Sequence, residues 1–221
     1  FLDEEPASAD QPIFFGGINV YLQHKFSLFR HTPEWIDRAF NAKWLLRKAA
    51  ARSGMTSSKD LGEITLSTFK GENGPLVKEV QKVVDWFREH EKPDVVFLST
   101  ILLAALGRVV KRELNVPVYG FLQGEDSFLD TLLDEYRTEA MDLLSADVAR
   151  LDGCIAPSRY FGSEMAKRFN LPEEKIHFLS NGITLDGYSL PDASPVKPSI
   201  GFLARLCPLK GLDRLVDAYL E

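Results

Sequence analysis

The sequence predicts an α/β fold, a parallel sheet with helices on both faces, and three observations carry that prediction. From about residue 75 onward, short apolar runs alternate with amphipathic stretches. The runs, such as DVVFLST and LDGCIAPS, are almost continuously apolar, the mark of strands buried on both faces. Each run ends in a polar or Gly-rich turn: Ser99-Thr100, Gln123-Gly124-Glu125-Asp126, Pro157-Ser158 and Asn181-Gly182-Ile183. Strand–helix alternation of this kind builds a parallel sheet, and ligands of such sheets bind outside the carboxyl ends of the strands. The turns are therefore the first place to look for a site, although turn and cap chemistry places the same residue types there.

The elements follow in order. Residues 1–12, FLDEEPASADQP, read as loop, and IFFGGINVYLQ as an extended segment with a turn at Gly16-Gly17. From His24 to Ser53, residues Phe26, Phe29, Trp35, Ile36, Phe40, Trp44 and Leu45 recur at spacings of about three and four, a helical pattern. Thr32 suits its N-cap and Pro33 its first turn. These aromatics read as packing groups. GENGP is a turn, and Pro75–His90 an amphipathic helix. Then come the strand DVVFLST, a helix over Ile101–Leu114, the strand VPVYGFLQG and a helix over Asp130–Arg150. The strand LDGCIAPS, a helix over Arg159–Phe169 and the strand KIHFLSNGI complete the series. Residues 186–198, DGYSLPDASPVKP, hold three prolines and no periodicity, and read as a linker. SIGFLARL beyond it reads as a strand, and Gly211–Glu221 as a helix. The expected organisation is a domain over 1–187, a linker over 188–197 and the start of a second domain over 198–221. With neither a start methionine nor a leader before Phe1, both ends are expected to be cuts in something longer.

Bulk properties exclude several classes. Of the 221 residues, 45% are hydrophobic and 26% charged, the balance of a globular chain, and the formal net charge is −6. That charge argues against a broad nucleic-acid footprint. Cys154 and Cys207 are the two cysteines and give neither a disulfide framework nor zinc-ligand spacing. No apolar run reaches the length of a membrane span. A reduced, cytoplasmic setting is the expectation. The aromatic stretches within 13–75 leave open a peripheral contact with the inner face of a membrane, without the basic polar face that such a helix needs.

Arg205 and Lys210 are the sharpest chemical pair. They sit on RLCPLKG, between an expected strand end and a helix start, where free backbone N–H groups already favour anions. A guanidinium and an ammonium there add charge-assisted hydrogen bonds to a diphosphate. Taken alone, two basic residues on a loop are more often plain solvated surface. His24, His31, His90 and His177 are scattered and form no visible dyad. No His/Asp cluster argues for a metal.

Taken together, PSRYFGSEMAKRF, then Asn181-Gly182-Ile183, then a short linker, then IGFLARLCPLKGLDRLVDAY resembles the retaining glycosyltransferases of family 4, with the GT-B fold of two Rossmann-like domains. The order and spacing match at Ser158, Asn181, Gly182, Ile183, Arg205, Lys210 and Gly211, with Ala204 where the family usually has glycine. The resemblance is clearest over residues 94–221. It implies that Arg205 and Lys210 bind the diphosphate of a nucleotide-sugar donor and stabilise the leaving group electrostatically. It implies no metal and no other cofactor. In many family members the strand before FLD ends in His-Gly, near the transferred sugar; here that position is Gln123-Gly124. Glutamine donates and accepts hydrogen bonds but shuttles no proton, so Gln123 would position a sugar hydroxyl. Glu125 and Asp126 follow it as cleft candidates. Gly16-Gly17 resembles the family's glycine loop, but no buried strand precedes it and the segment does not lead into a helix and second strand in the usual way. It is read instead as a turn near the acceptor side, with the true first strand and loop upstream of Phe1.

The resemblance thus implies a glycosyltransferase acting from a nucleotide-sugar donor on a sugar, lipid or small-molecule acceptor, with this chain inactive alone because the family's Glu-x7-Glu pair lies further into the donor domain. Two rivals remain at this point. A nucleotide-sugar 2-epimerase shares the architecture but needs acid/base residues. A non-catalytic nucleotide- or sugar-binding module shares the fold without the chemistry.

Overall fold

The computed structural model describes residues 17–30, 32–33, 58–90, 92–188 and 198–221. The chain separates into two compact units, Phe1–Asn181 and Gly182–Glu221.

The first unit is an α/β domain, a four-stranded parallel sheet flanked by helices, as the alternation predicts and consistent with the Rossmann-like domain that the resemblance implies. The strands are β1 (Val96–Leu98), β2 (Val118–Phe121), β3 (Gly153–Ala156) and β4 (Ile176–Phe178), in the order β1-β2-β3-β4. Register pairs Leu98 with Gly120, Gly120 with Cys154 and Cys154 with Ile176. Because side chains alternate along a strand, that row shares one face with Val118 and Ala156. Phe97, Tyr119, Ile155 and His177 lie on the other.

Two glycines let helices press onto the first face. A Cβ on Gly107, in α4 (Ala104–Leu114), would come within 2.7 Å of Leu98 Cδ1 and 3.2 Å of Val118 Cγ1. A Cβ on Gly162, in α7 (Arg159–Phe169), would come within 2.9 Å of Ile176 Cγ2 and 3.0 Å of Ala156 Cβ. Between them, Val84, Ile101, Ala104, Val118, Leu122, Leu129 and Ala140 are fully buried. On the opposite face the rings lie against one another, Phe97 stacked on Tyr119 at 5.7 Å and tilted against Phe121 at 6.1 Å. Phe97 is 53% exposed. The apolar run of β1 therefore does not mark a strand buried on both faces along its whole length.

Helices α4 and α7 both stop on an asparagine in the left-handed conformation, Asn115 (φ 52°) and Asn170 (φ 50°), each followed two residues on by a proline. That is a common way to end a helix and redirect the chain. The sequence predicts one helix over Asp130–Arg150, and two are found, α5 (Glu125–Thr131) and α6 (Asp134–Val148). Leu132 and Leu133 are extended between them. The break holds because Arg137 Nη2 donates to the carbonyls of Asp130 (3.0 Å) and Leu132 (2.7 Å), groups that the end of α5 leaves without helical partners.

Three further expectations are corrected. The segment read as extended is helix α1 (Gly17–Lys25). Its buried face is polar, Asn19 and Gln23 one turn apart, while Tyr21 is half exposed, so the apolar pattern points the wrong way. Gln23 Nε2 donates at 2.8 Å to the fully buried Glu79 of α3 (Val77–Glu89). Second, α2 (Ser58–Lys70) has no counterpart among the elements expected from the sequence. Its stripe includes Gly62 and Thr65 beside Leu66 and Phe69. A Cβ at Gly62 would lie 2.3 Å from the ring of Tyr136, so a small residue stands where a larger apolar one would signal the helix. Third, GENGP includes a short 3₁₀ turn, Gly71–Asn73, as expected of a turn, but α3 begins only at Val77 rather than Pro75. The helix expected after Pro33 lies outside the described residues.

In the second unit, SIGFLARL forms no strand, since a strand needs a partner and none is described within this unit. A 3₁₀ turn, Pro208–Lys210, leads through Gly211 (φ 69°) into α8 (Leu212–Leu220). Helix α8 buries none of its residues. A hollow of about 430 Å³ is lined by Ile200, Phe202, Leu212, Leu215, Val216 and Tyr219.

Candidate functional site

Parallel strands bring their carboxyl ends to one edge, so the turns after β1 to β4 are gathered there. Thr100 follows β1 in extended conformation and caps the next turn, its Oγ1 accepting from the Leu102 N–H at 3.3 Å. Ser158 follows β3 and caps α7, accepting from the Phe161 N–H at 3.1 Å. Both are the residue types that caps require.

The turn after β2 is the most constrained. Gly124 adopts φ 92°, a left-handed conformation that favours glycine, and a Cβ added there would meet nothing within 4 Å. The backbone angle, not crowding, is therefore what selects glycine. Glu125, 3% exposed, folds back under it. One carboxylate oxygen accepts from the Gln123 N–H at 2.7 Å, and the other from Thr100 Oγ1 at 2.5 Å. Glu125 is therefore occupied with protein partners, while the side chain of Gln123 is exposed on the edge. Asp126 is half-buried and lines a hollow of about 420 Å³ with Tyr160, Phe161, Glu164, Lys167 and Arg168.

Beneath the turn, Cys154 is buried and its thiol is pushed up to about 11, mainly by burial, with Glu125 adding to the effect and Lys175 opposing it. It is a packing residue. Beside Ser158, the Arg159 guanidinium lies 5.3 Å from the ring centre of Phe178. That places a cation at the carboxyl end of β4 that the sequence patterns did not single out; its adjacency to Ser158 in PSRY is the only signal for it.

Asn181 is exposed at the end of the first unit, and Gly182 opens the second. The turn expected at Asn181-Gly182-Ile183 falls later, at Asp186-Gly187, where the Tyr188 N–H donates to the Leu185 carbonyl at 3.0 Å. Gly187, with φ 84°, rather than Gly182 takes the left-handed conformation. In the second unit, Arg205 and Lys210 are both exposed, and neither has an ion-pair partner among the described residues. The loop between them is held by the Cys207 N–H on the Arg205 carbonyl and the Lys210 N–H on the Cys207 carbonyl, each 3.0 Å. Gly16 lies outside the described residues, and Gly17 is the first residue of α1.

Among the described residues, no group of His, Cys, Asp or Glu gathers as metal ligands do, and no helix is long and apolar enough to cross a membrane. The family model described as Glycosyltransferase Family 4 matches residues 61–186, a span that runs from α2 through β4 and includes Gln123, Glu125, Ser158 and Asn181. No curated protein matches the chain.

Proposed function

The chain belongs to glycosyltransferase family 4, and on that premise we propose that it carries the acceptor side of an enzyme moving a sugar from a nucleotide-sugar donor to an acceptor, with retention of anomeric configuration. The observation that supports this reading best is Gln123. Its main chain is anchored by Glu125 while its side chain stands exposed at the carboxyl end of β2, the edge where parallel sheets bind ligands. There it donates to, and accepts from, a sugar hydroxyl.

Arg205 and Lys210 take the donor diphosphate. Neither has an ion-pair partner among the described residues, which leaves both charges available. They would stabilise the charge that develops on the leaving nucleoside diphosphate in the place of a metal ion. The apolar side of α8, unburied in its own unit, fits a helix that other strands of a donor-binding domain cover. Residues 198–221 are on this reading the opening of that domain, and this chain alone does not turn over donor.

The test is calorimetric titration of UDP, GDP and ADP into the full-length protein, with and without EDTA. We expect one diphosphate to bind, EDTA to leave its affinity unchanged, and Arg205→Ala and Lys210→Ala each to weaken binding by about tenfold or more. Binding that depends on a metal, or that both variants leave intact, would overturn the assignment.

A further inference from the structure

We infer that Glu125 is a positioning residue: through Gln123 and Thr100 it joins the turn after β2 to the turn after β1, so that the two form one rigid edge beneath the transferred sugar. The inference rests on the sugar-positioning role proposed for Gln123. Three observations carry it. Glu125 is 3% exposed, so its carboxylate is not itself a surface ligand group. Its two oxygens go to two different turns, one to the Gln123 N–H at 2.7 Å and one to Thr100 Oγ1 at 2.5 Å. Between Gln123 and Glu125, Gly124 at φ 92° supplies the reversal that lets the carboxylate reach back two residues. Thr100 is fixed in turn by its bond to the Leu102 N–H. A buried carboxylate with only neutral donors is costly unless those bonds are well made. The pair of bonds therefore defines where Gln123 stands.

The substitution Glu125→Gln keeps the shape and removes the ability to accept from both donors at once, since one end of the amide carries hydrogens. In the full-length protein, followed by amide NMR, the Gln123 N–H is expected far downfield in the parent and shifted upfield in the variant. Its hydrogen exchange should accelerate by about tenfold or more, while the Cys154 and Ile155 amides of β3 keep their protection. Thr100→Val, which leaves the carboxylate in place, should loosen the same amide to a smaller extent and stands in if Glu125→Gln does not fold. With UDP- and GDP-sugars as probes, kcat for nucleotide release should fall in Glu125→Gln by about 2- to 5-fold, no more than in Gln123→Ala, with KM within about twofold. If the Gln123 amide is unchanged in both variants, Glu125 does not position it and the inference is overturned. If that amide responds but Gln123→Ala releases nucleotide at the parent rate, the inference about the turn holds and the sugar-positioning role of Gln123 is what fails.

Discussion

Arg112 grips Glu72 through two parallel bonds, Nη1 to Oε1 and Nη2 to Oε2, each 2.7 Å long. Glu72 also accepts from Arg108 Nη1 at 2.8 Å, so one carboxylate fastens the 3₁₀ turn after α2 to two turns of α4. The bidentate bond from Arg112 is the main reason that its carboxyl is held below the usual carboxylate range. Asp130 is lowered too, chiefly by Arg168. At Asp152, burial pushes upward, and the bonds from Lys111 and the Val118 N–H outweigh it. A carboxyl lowered on folding adds stability above its unfolded pKa, and that stability is lost as pH falls through the folded value. The domain should therefore hold its urea midpoint near neutral pH and lose it progressively as pH drops below about 4.5. Glu72→Gln should cost about 1 kcal/mol at pH 7, after allowing for the exposure of Arg112, and should flatten the acid limb of the curve. An acid limb as steep as the parent's would remove Glu72 from this account.

Helix α7 is set on the sheet by the absence of a side chain at Gly162. A Cβ there meets Ala156 Cβ at 3.0 Å, and Ala156 has no rotamer by which to give way. Gly162→Leu should destabilise by about 1–3 kcal/mol through overpacking. It should also disturb the Ser158 cap at the head of the same helix. Thermal unfolding measures the first effect, and exchange of the Phe161 amide, the one that Ser158 accepts from, measures the second. A variant as stable as the parent would mean that α7 stands further from β3 than 3.0 Å implies.

Where burial followed apolar periodicity, the sequence was readable. Val80, Val83 and Val84 of α3 and Val109 and Val110 of α4 are core residues at helical spacing, and all four strands of the sheet lie within the predicted runs. Where burial was polar or small, it was not. The inward faces of α1 and α2 use Asn19, Gln23, Gly62, Thr65 and Ser67, residues that periodicity counts as outward. The second unit's SIGFLARL has strand composition, but no strand is described beside it. At the carboxyl edge of the sheet, the polar turns expected around Gln123, Glu125 and Ser158 are where the strands end, yet turn chemistry could not say how each side chain is used. Whether an acidic side chain after a glycine points out to a ligand or back to its own chain depends on φ at Gly124 and on the arrival of Thr100 from the neighbouring strand. A single chain segment contains neither fact.

Thiol chemistry separates the two cysteines. Cys154 is buried and its thiol is raised to about 11, so little thiolate is present at neutral pH. Cys207 is half-buried on the loop that carries Arg205 and Lys210. A colorimetric thiol reagent at pH 8 should modify one thiol per native chain, Cys207, and Cys154 only after denaturation. A nucleoside diphosphate bound at Arg205 and Lys210 should slow the modification of Cys207. Rapid modification of Cys154 in the native state would mean that β3 opens far more readily than its burial allows.

Gln123 offers the sharpest separation of fold from chemistry. Its side chain is exposed and its anchorage is through the backbone N–H, which every substitution except proline keeps. Gln123→Ala should therefore leave the melting temperature unchanged while kcat/KM falls by about 2- to 10-fold, the worth of one neutral hydrogen bond. Gln123→Glu places a second carboxylate beside the one already held by Gln123 N–H and Thr100, and it loses the amide's donors. It should be slower than Gln123→Ala. Gln123→His restores a ring nitrogen that donates to the same hydroxyl, and should recover most of the lost rate if a donor at that position is what the sugar needs. A Glu variant as fast as the parent would show that Gln123 accepts rather than donates, since an ionised carboxylate has no donor. Parent rates in all three would remove it from the site.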